Sequence, residues 1–189
     1  ARPEINILIP EARVPWGGAS AHVVVVASAD GPPLVALVAS GNAQVERDTN
    51  LALEPRDTLV FDNAPVVATG PAGDRIPADA VWLYGALARS AQMAGALESI
   101  LDQSVRYANE RRQFGRPIGG FQAIQQQLAI LAGQTAAAGI AAANAFRAAE
   151  RGDPAFEIAV AKVRVGEAAG IGASIAHQVH GAIGFTYEH

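Results

Sequence analysis

The stretch YANERRQFGRPIGGFQAIQQQLA, residues 107–129, decides how this chain is read. It sets Arg111, Arg112 and Arg116 among aromatics, a proline and three glycines, while the sequence on either side is alanine-rich and helical in period. Upstream, Leu83, Leu87, Ala94, Leu97, Leu101, Val105 and Ala108 recur at three- and four-residue steps. Glu98, Asp102, Arg106 and Asn109 take the opposite face. Downstream, a second stripe runs through Phe121, Ile124, Leu128, Leu131, Thr135, Ala138, Ala142 and Ala145. A third helix is predicted from GDPAFE at 152–157, with Asp153 as cap and Pro154 in the first helical position. Its stripe is Phe156, Val160, Val163, Ile171 and Ile175.

Helices of about 25 to 30 residues are about 40 Å long, and short turns near Pro117 and Gly152 make them antiparallel neighbours. Gly166, Gly170 and Gly172 permit close helix contact. Three such helices leave an apolar seam that a fourth, from later sequence or another chain, has to cover. The low-complexity run AGQTAAAGIAAANA, 132–145, is read as tight packing rather than a membrane segment.

Before residue 70 the period is that of strands. INILI, HVVVVAS, LVALVAS, AQVER and TLVFD are short, rich in Val, Ile or Leu, and separated by Gly, Pro, Asp and Asn. They suit an antiparallel sheet or small barrel. The segment APVVATGPAGDRIP, 64–77, is expected to break that pattern, and the domain boundary is placed there. The fold class expected is therefore α+β: an N-terminal antiparallel β segment over 1–75, then an all-α antiparallel helical bundle over 76–189.

With 189 residues, half of them apolar, the chain is long enough for a real core. Its net charge of −4 argues against a general nucleic-acid binder, which needs dense positive charge. The absence of cysteine excludes disulfides, zinc-cysteine sites and thiol nucleophiles, and a cytoplasmic setting is expected. No uninterrupted apolar run approaches the roughly 20 residues of a membrane helix, so no membrane insertion is expected. The chain lacks an initiator Met and starts in mid-pattern, and is expected to be part of a longer one. His177 and His180 lie one helical turn apart, a spacing open to metal. With no cysteine or clear carboxylate partner they are read as a helix-end pair, and no metal is expected.

At the turn itself, Gly115 and Pro117 stop one helix while Gly119 and Gly120 precede the next. The new helix offers unpaired backbone N–H groups at its start, where anions are favoured. Arg111 and Arg112 stand close by, and guanidinium binds phosphate oxygens in pairs. Phe114 and Phe121 could shelter an aromatic or ribose body, with Gln122 reading its polar edge. The residues thus point to a phosphate-bearing ligand beside an aromatic shelf. The alternative is a solvated helix turn with surface arginines and one buried Phe.

Residues 107–129 also resemble the hallmark of the acyl-CoA dehydrogenase family: Tyr, three residues, Arg, two residues, Phe-Gly, then an aromatic or His followed by Gln. MAGALESILDQSVRYA, 93–108, is similar to the family's first C-terminal bundle helix. HQVHGAIGFTYEH, 177–189, resembles a second signature built on Gln, two residues, Gly-Gly/Ala, one residue and Gly-aromatic. Upstream, ARVPWGGASAHVVVVAS, 12–28, is similar to the late part of the family's middle β domain. On that alignment Val14 takes the place of a Trp, and Trp16 that of a Thr or Ser beside the flavin. Trp16 is either a flavin contact or a strand-end aromatic.

The resemblance implies FAD, an acyl-CoA substrate, electron-transfer flavoprotein as acceptor, and a dimer or tetramer of identical or related subunits with FAD across the interface. It implies that Arg111 binds the FAD pyrophosphate beside Gln113 and Phe114. Phe121 and Gln122 would line the adenosine portion, and Gln178, Gly181 and Ala182 the adenine end. It implies a carboxylate base downstream of His189 or, in a minority, near the start of the first bundle helix, where this chain has Gly85. Nearby Arg89 would meet CoA, a carboxylate or another helix. The catalytic residue is unknown. The chain is expected to be either part of an enzyme or a noncatalytic partner that completes another subunit's FAD site.

Overall fold

The computed structural model describes residues 6–27, 33–73, 76–77 and 79–186. It divides into two compact units, 1–81 and 82–189, and the α+β reading holds. The expected boundary after Arg75 lies outside the described residues, and the chain divides into its compact units between Val81 and Trp82.

The first unit is an antiparallel sheet. Its strands are β1 (Asn6–Pro15), β2 (His22–Ala27), β3 (Leu34–Ala39), β4 (Gln44–Glu46) and β5 (Arg56–Pro71), in the order β1-β5-β3-β2, with β4 also on β5. All five expected strands form. APVVATGP does not end the pattern as expected, because Val66 to Pro71 continue β5 and pair with β3 from Val38 back to Leu34. The β-branched Val66, Val67 and Thr69 outweigh the flanking prolines. β5 thus serves three partners, β1 and β4 in its first part and β3 in its second.

The core of this unit is Val38, Leu59, Phe61 and Ala64, with Ile7, Ile9, Val14 and Val23 packed on it. Beside it lies a buried carboxylate, Asp57. Its Oδ2 accepts the Gly18 N–H at 2.7 Å and its Oδ1 the Asp48 N–H at 3.4 Å, so it pins the corner that follows Trp16.

The second unit holds α1 (Ala80–Glu110), α2 (Gln122–Arg151) and α3 (Ala155–His180). Successive helices are antiparallel, as their contacts show. Leu87 near the start of α1 packs with Ala145 near the end of α2 and Ile158 near the start of α3. In mid-bundle, Leu97 meets Leu131, Ala138, Val165 and Ala168. Gly172 is needed at this crossing, because a Cβ there would come within 2.6 Å of Leu97 Cδ2 and 3.1 Å of Leu131 Cδ1.

The α1 and α2 stripes are buried largely as read, except that Val105 is exposed and Ser104 holds the inward place. Of the α3 stripe only Ile175 packs on the core: Phe156, Val160, Val163 and Ile171 are exposed, while Ile158, Ala161, Val165, Ala168 and Gly172 face inward. This helix is apolar on nearly every side, so its period could not choose a face. Asp153 does not cap it either; Pro154 occupies the cap position, without a side-chain hydrogen bond.

By length and composition alone α2 could cross a bilayer, which the count of uninterrupted apolar residues did not register. Yet it buries Leu131, Thr135, Ala138, Ala142 and Ala145 as one face against its neighbours, the pattern of a bundle helix. At its far end Gly152 adopts φ 98°, and its N–H reaches the carbonyls of Ala148 and Ala149. The chain then turns straight into α3.

Candidate functional site

The antiparallel order brings the end of α1, the start of α2 and the end of α3 to one end of the bundle. The α1–α2 turn found there is more structured than a plain loop. Arg112–Gln113 (β6) and Arg116–Pro117 (β7) pair as a miniature hairpin, Arg112 opposite Pro117 and Gln113 opposite Arg116. Its two-residue tip is Phe114 at φ 49° and Gly115 at φ 81°, both left-handed, as the twist of a tight hairpin requires. Glycine accepts that conformation freely, but a phenylalanine is strained in it. Phe114 is nevertheless 94% exposed. A bulky apolar ring held in water on a strained backbone has nothing to gain from folding, which makes it a functional candidate.

The turn is tied down at its flanks. Arg111 donates its N–H to the Tyr107 carbonyl, and its own carbonyl accepts from Ile118 N–H, each at 2.8 Å. The guanidinium of Arg111 is exposed and pairs with no carboxylate among the described residues. Arg112 bonds the Gly115 carbonyl at 3.2 Å. Gln113 Nε2 donates to the Arg112 carbonyl at 2.7 Å, which leaves its amide oxygen facing outward from an exposed position.

A short 3-10 turn, Ile118–Gly120, leads to Phe121 at the N-cap of α2. Phe121 has no side-chain oxygen to cap the first amides, and the first turn of α2 carries no acidic residue. The positive end of the helix is therefore uncompensated. Arg116 lies over the Phe121 ring, 4.3 Å from its centroid, and Phe114 meets the same ring edge-on at 6.1 Å. Gln122 is exposed beside them.

The second glycine segment lies at the same end. α3 stops at His180, and Gly181 takes φ 64°, ψ −141°, a conformation closed to side-chain-bearing residues. Residues Gly181–Phe185 form a 3-10 turn. Gln178 and Ala182 are exposed. The two histidines turn to separate aromatic partners: His177 stacks on Phe185 at 4.5 Å, and His180 on Tyr107 at 4.6 Å. This last stack joins the two segments. Between α1 and α3 nearby is a cavity of about 180 Å³, lined by Ile100, Gln103, Ser104 and Ala173 with the two histidines. The buried Ser104 Oγ has no hydrogen-bond partner among the described residues.

Eight of the nine residues predicted to bind ligand thus share one end of the helical unit. Trp16 lies in the other unit. It is also left-handed, at φ 58°, and its side chain is 55% exposed. Its N–H donates to the Pro55 carbonyl at 3.1 Å. Gly85 lies on α1 with open space around it, and Arg89 bonds Gln92 Oε1 at 2.8 Å. Reasoning from sequence did not single out Arg116 as the cover of Phe121, although an arginine five residues before an aromatic across a tight turn was a usable signal. Nothing in the sequence marked Ser104.

Residues 82–189 match the acyl-CoA dehydrogenase C-terminal domain. The chain is 37% identical over 180 residues to acyl-CoA dehydrogenase FadE34 of Mycobacterium tuberculosis, covering 92% of this chain and 24% of that protein. Its fold matches the Tcur3481-Tcur3483 steroid ACAD G363A variant at a TM-score of 0.81 and 28% identity, covering 98% of this chain and 51% of that one. The ChsE4-ChsE5 complex from Mycobacterium tuberculosis matches at 0.74 and 31%, covering 98% and 50%. The chain belongs to the acyl-CoA dehydrogenase family. It spans about a quarter of the length of FadE34 and half that of the solved chains.

Proposed function

We propose that this protein is an FAD-dependent acyl-CoA dehydrogenase, converting an acyl-CoA thioester to its trans-2-enoyl-CoA and passing the electrons to electron-transfer flavoprotein. The observation that carries the proposal is the meeting of the Arg111 turn and the Gly181 turn at one end of the bundle, joined through Tyr107 and His180. When bound, FAD supplies the acceptor for the β-hydride. The chain's own residues bind and orient it.

They fit a flavin dinucleotide on three counts. The Arg111 guanidinium and the uncapped start of α2 together offer a diphosphate two kinds of donor. The Phe114 and Phe121 rings, with Gln122 and Gln113, offer an adenosine body an apolar shelf with polar edges. Gly181 and Ala182, with Gln178, let backbone approach the adenine end without a bulky side chain between. In this reading the FAD is held mostly by a sister protomer in a dimer or tetramer, and Trp16 faces the flavin side of its own unit. The α-proton needs a carboxylate base, and Gly85, at one of the two positions the family uses, has no side chain to supply it.

In a second reading the chain is a noncatalytic subunit completing the FAD site of a related partner. Two of its solved relatives carry paired names, ChsE4-ChsE5 and Tcur3481-Tcur3483. Purification of the full-length protein, alone and co-expressed with neighbouring gene products, separates the readings. A yellow homomeric protein that bleaches with acyl-CoA supports the enzyme, and flavin retained only in a heteromer supports the partner. Protein that stays colourless in both preparations after reconstitution with FAD sinks both.

A further inference from the structure

We propose that Tyr107 and His180 are a positioning pair that holds the Arg111 turn and the Gly181 turn in register, so that the two grip one ligand; for FAD as that ligand, the inference rests on the function proposed above. Each ring stands within the last turn of the helix that leads into the segment it would position. Tyr107 accepts the Arg111 N–H through its carbonyl at 2.8 Å, so its backbone is bonded directly to the start of the turn. His180 is the last residue of α3, and Gly181 follows it.

The rings stack at 4.6 Å between centroids with 29° between planes. The orientation of the imidazole is set independently of the stack. His180 Nδ1 lies 2.8 Å from the Ala176 carbonyl, and a carbonyl can only accept, so Nδ1 carries the proton. His177 stacked on Phe185 folds the rest of the second segment back on α3 in the same way. In mid-bundle α1 and α3 share an aliphatic core that includes Leu97 and Val165, which resists separation but is not directional. The ring pair lies at the ligand end, where α1 needs a defined rotation as well as a defined distance.

The test uses the full-length protein with two readouts, the FAD dissociation constant and amide hydrogen exchange over residues 111–121 in the flavin-free protein. Tyr107→Leu and His180→Leu remove the stack, and each is expected to raise the dissociation constant at least tenfold and to speed exchange in the turn. Tyr107→Phe keeps a ring and is expected to stay within about threefold of wild type. The double leucine variant should bind no more than twofold weaker than the worse single variant, because the two residues act as one unit. His180→Gln can still donate to Ala176 while lacking a ring. It is the milder variant should a leucine form fail to fold, and at least a fivefold loss is expected. Additive losses in the double variant, or wild-type affinity and exchange in His180→Gln, overturn the proposal. Faster exchange in a protein that never binds FAD leaves the pairing standing and removes the flavin reading instead.

Discussion

The middle of the helical unit and its ligand end are built from similar residue types under opposite rules. At the crossing of Leu97, Leu131 and Val165 every side chain is buried, and even a methyl group on Gly172 is excluded. At the end, Phe114 is strained and exposed, Arg111 has no carboxylate partner among the described residues, and the first amides of α2 lack a side-chain cap. Packing explains the first region completely. It explains almost nothing of the second, and that is the reason to look there for binding.

Separating stability from binding is the way to break the comparison. The largest effect is expected for Leu97→Ala, which should lower unfolding free energy by about 2–5 kcal/mol in chemical denaturation while the folded fraction still binds FAD normally. Arg111→Ala should do the reverse. A charge-assisted contact of about 1.5–3 kcal/mol corresponds to roughly ten- to a hundredfold weaker FAD binding by fluorescence titration, with the melting temperature unchanged. If Arg111→Ala unfolds the protein instead, the division between the two regions fails.

Phe114→Gly sharpens the contrast, since it should raise stability by roughly 0.5–1 kcal/mol through relief of the left-handed strain while weakening FAD binding. A strained residue that stabilised the free protein would have no need of a ligand. The smallest effect is expected for Val163→Thr on the outward face of α3, within about 0.5 kcal/mol by thermal denaturation. A larger loss would place that face in a packed interior of the assembly.

The same contrast decides what could be read in advance. α1 and α2 alternate apolar with polar faces, so their period gave the buried stripes, and only the exchange of Val105 for Ser104 went unforeseen. α3 is apolar almost all round, and all of its expected stripe but Ile175 faces outward. In β5, prolines suggested an ending, but neither they nor any local signal could report that β3 was waiting to pair with Val66–Pro71.

At the ligand end the residue types were legible and the geometry was not. Phe-Gly fits a left-handed turn, yet it does not announce a hairpin with a strained aromatic at its tip. The stack of Tyr107 on His180 joins positions more than seventy residues apart, beyond the reach of any local pattern. Trp16 presents the same left-handed, exposed character in the other unit, and its departure from the family's usual residue there was visible only because a pattern existed to depart from.

One further consequence follows from Gly152. Its reversal leaves only Gly152 itself, Asp153 and Pro154 between α2 and α3, which lie in close contact. The pair is a tuning fork whose stem is Gly152 and whose tines, about 40 Å long, carry Gln122 and Gln178 at their tips. The gap between those tips is gauged by alanines and glycines along the two shafts, so a bulkier residue at one of those positions would be felt at the mouth without touching it.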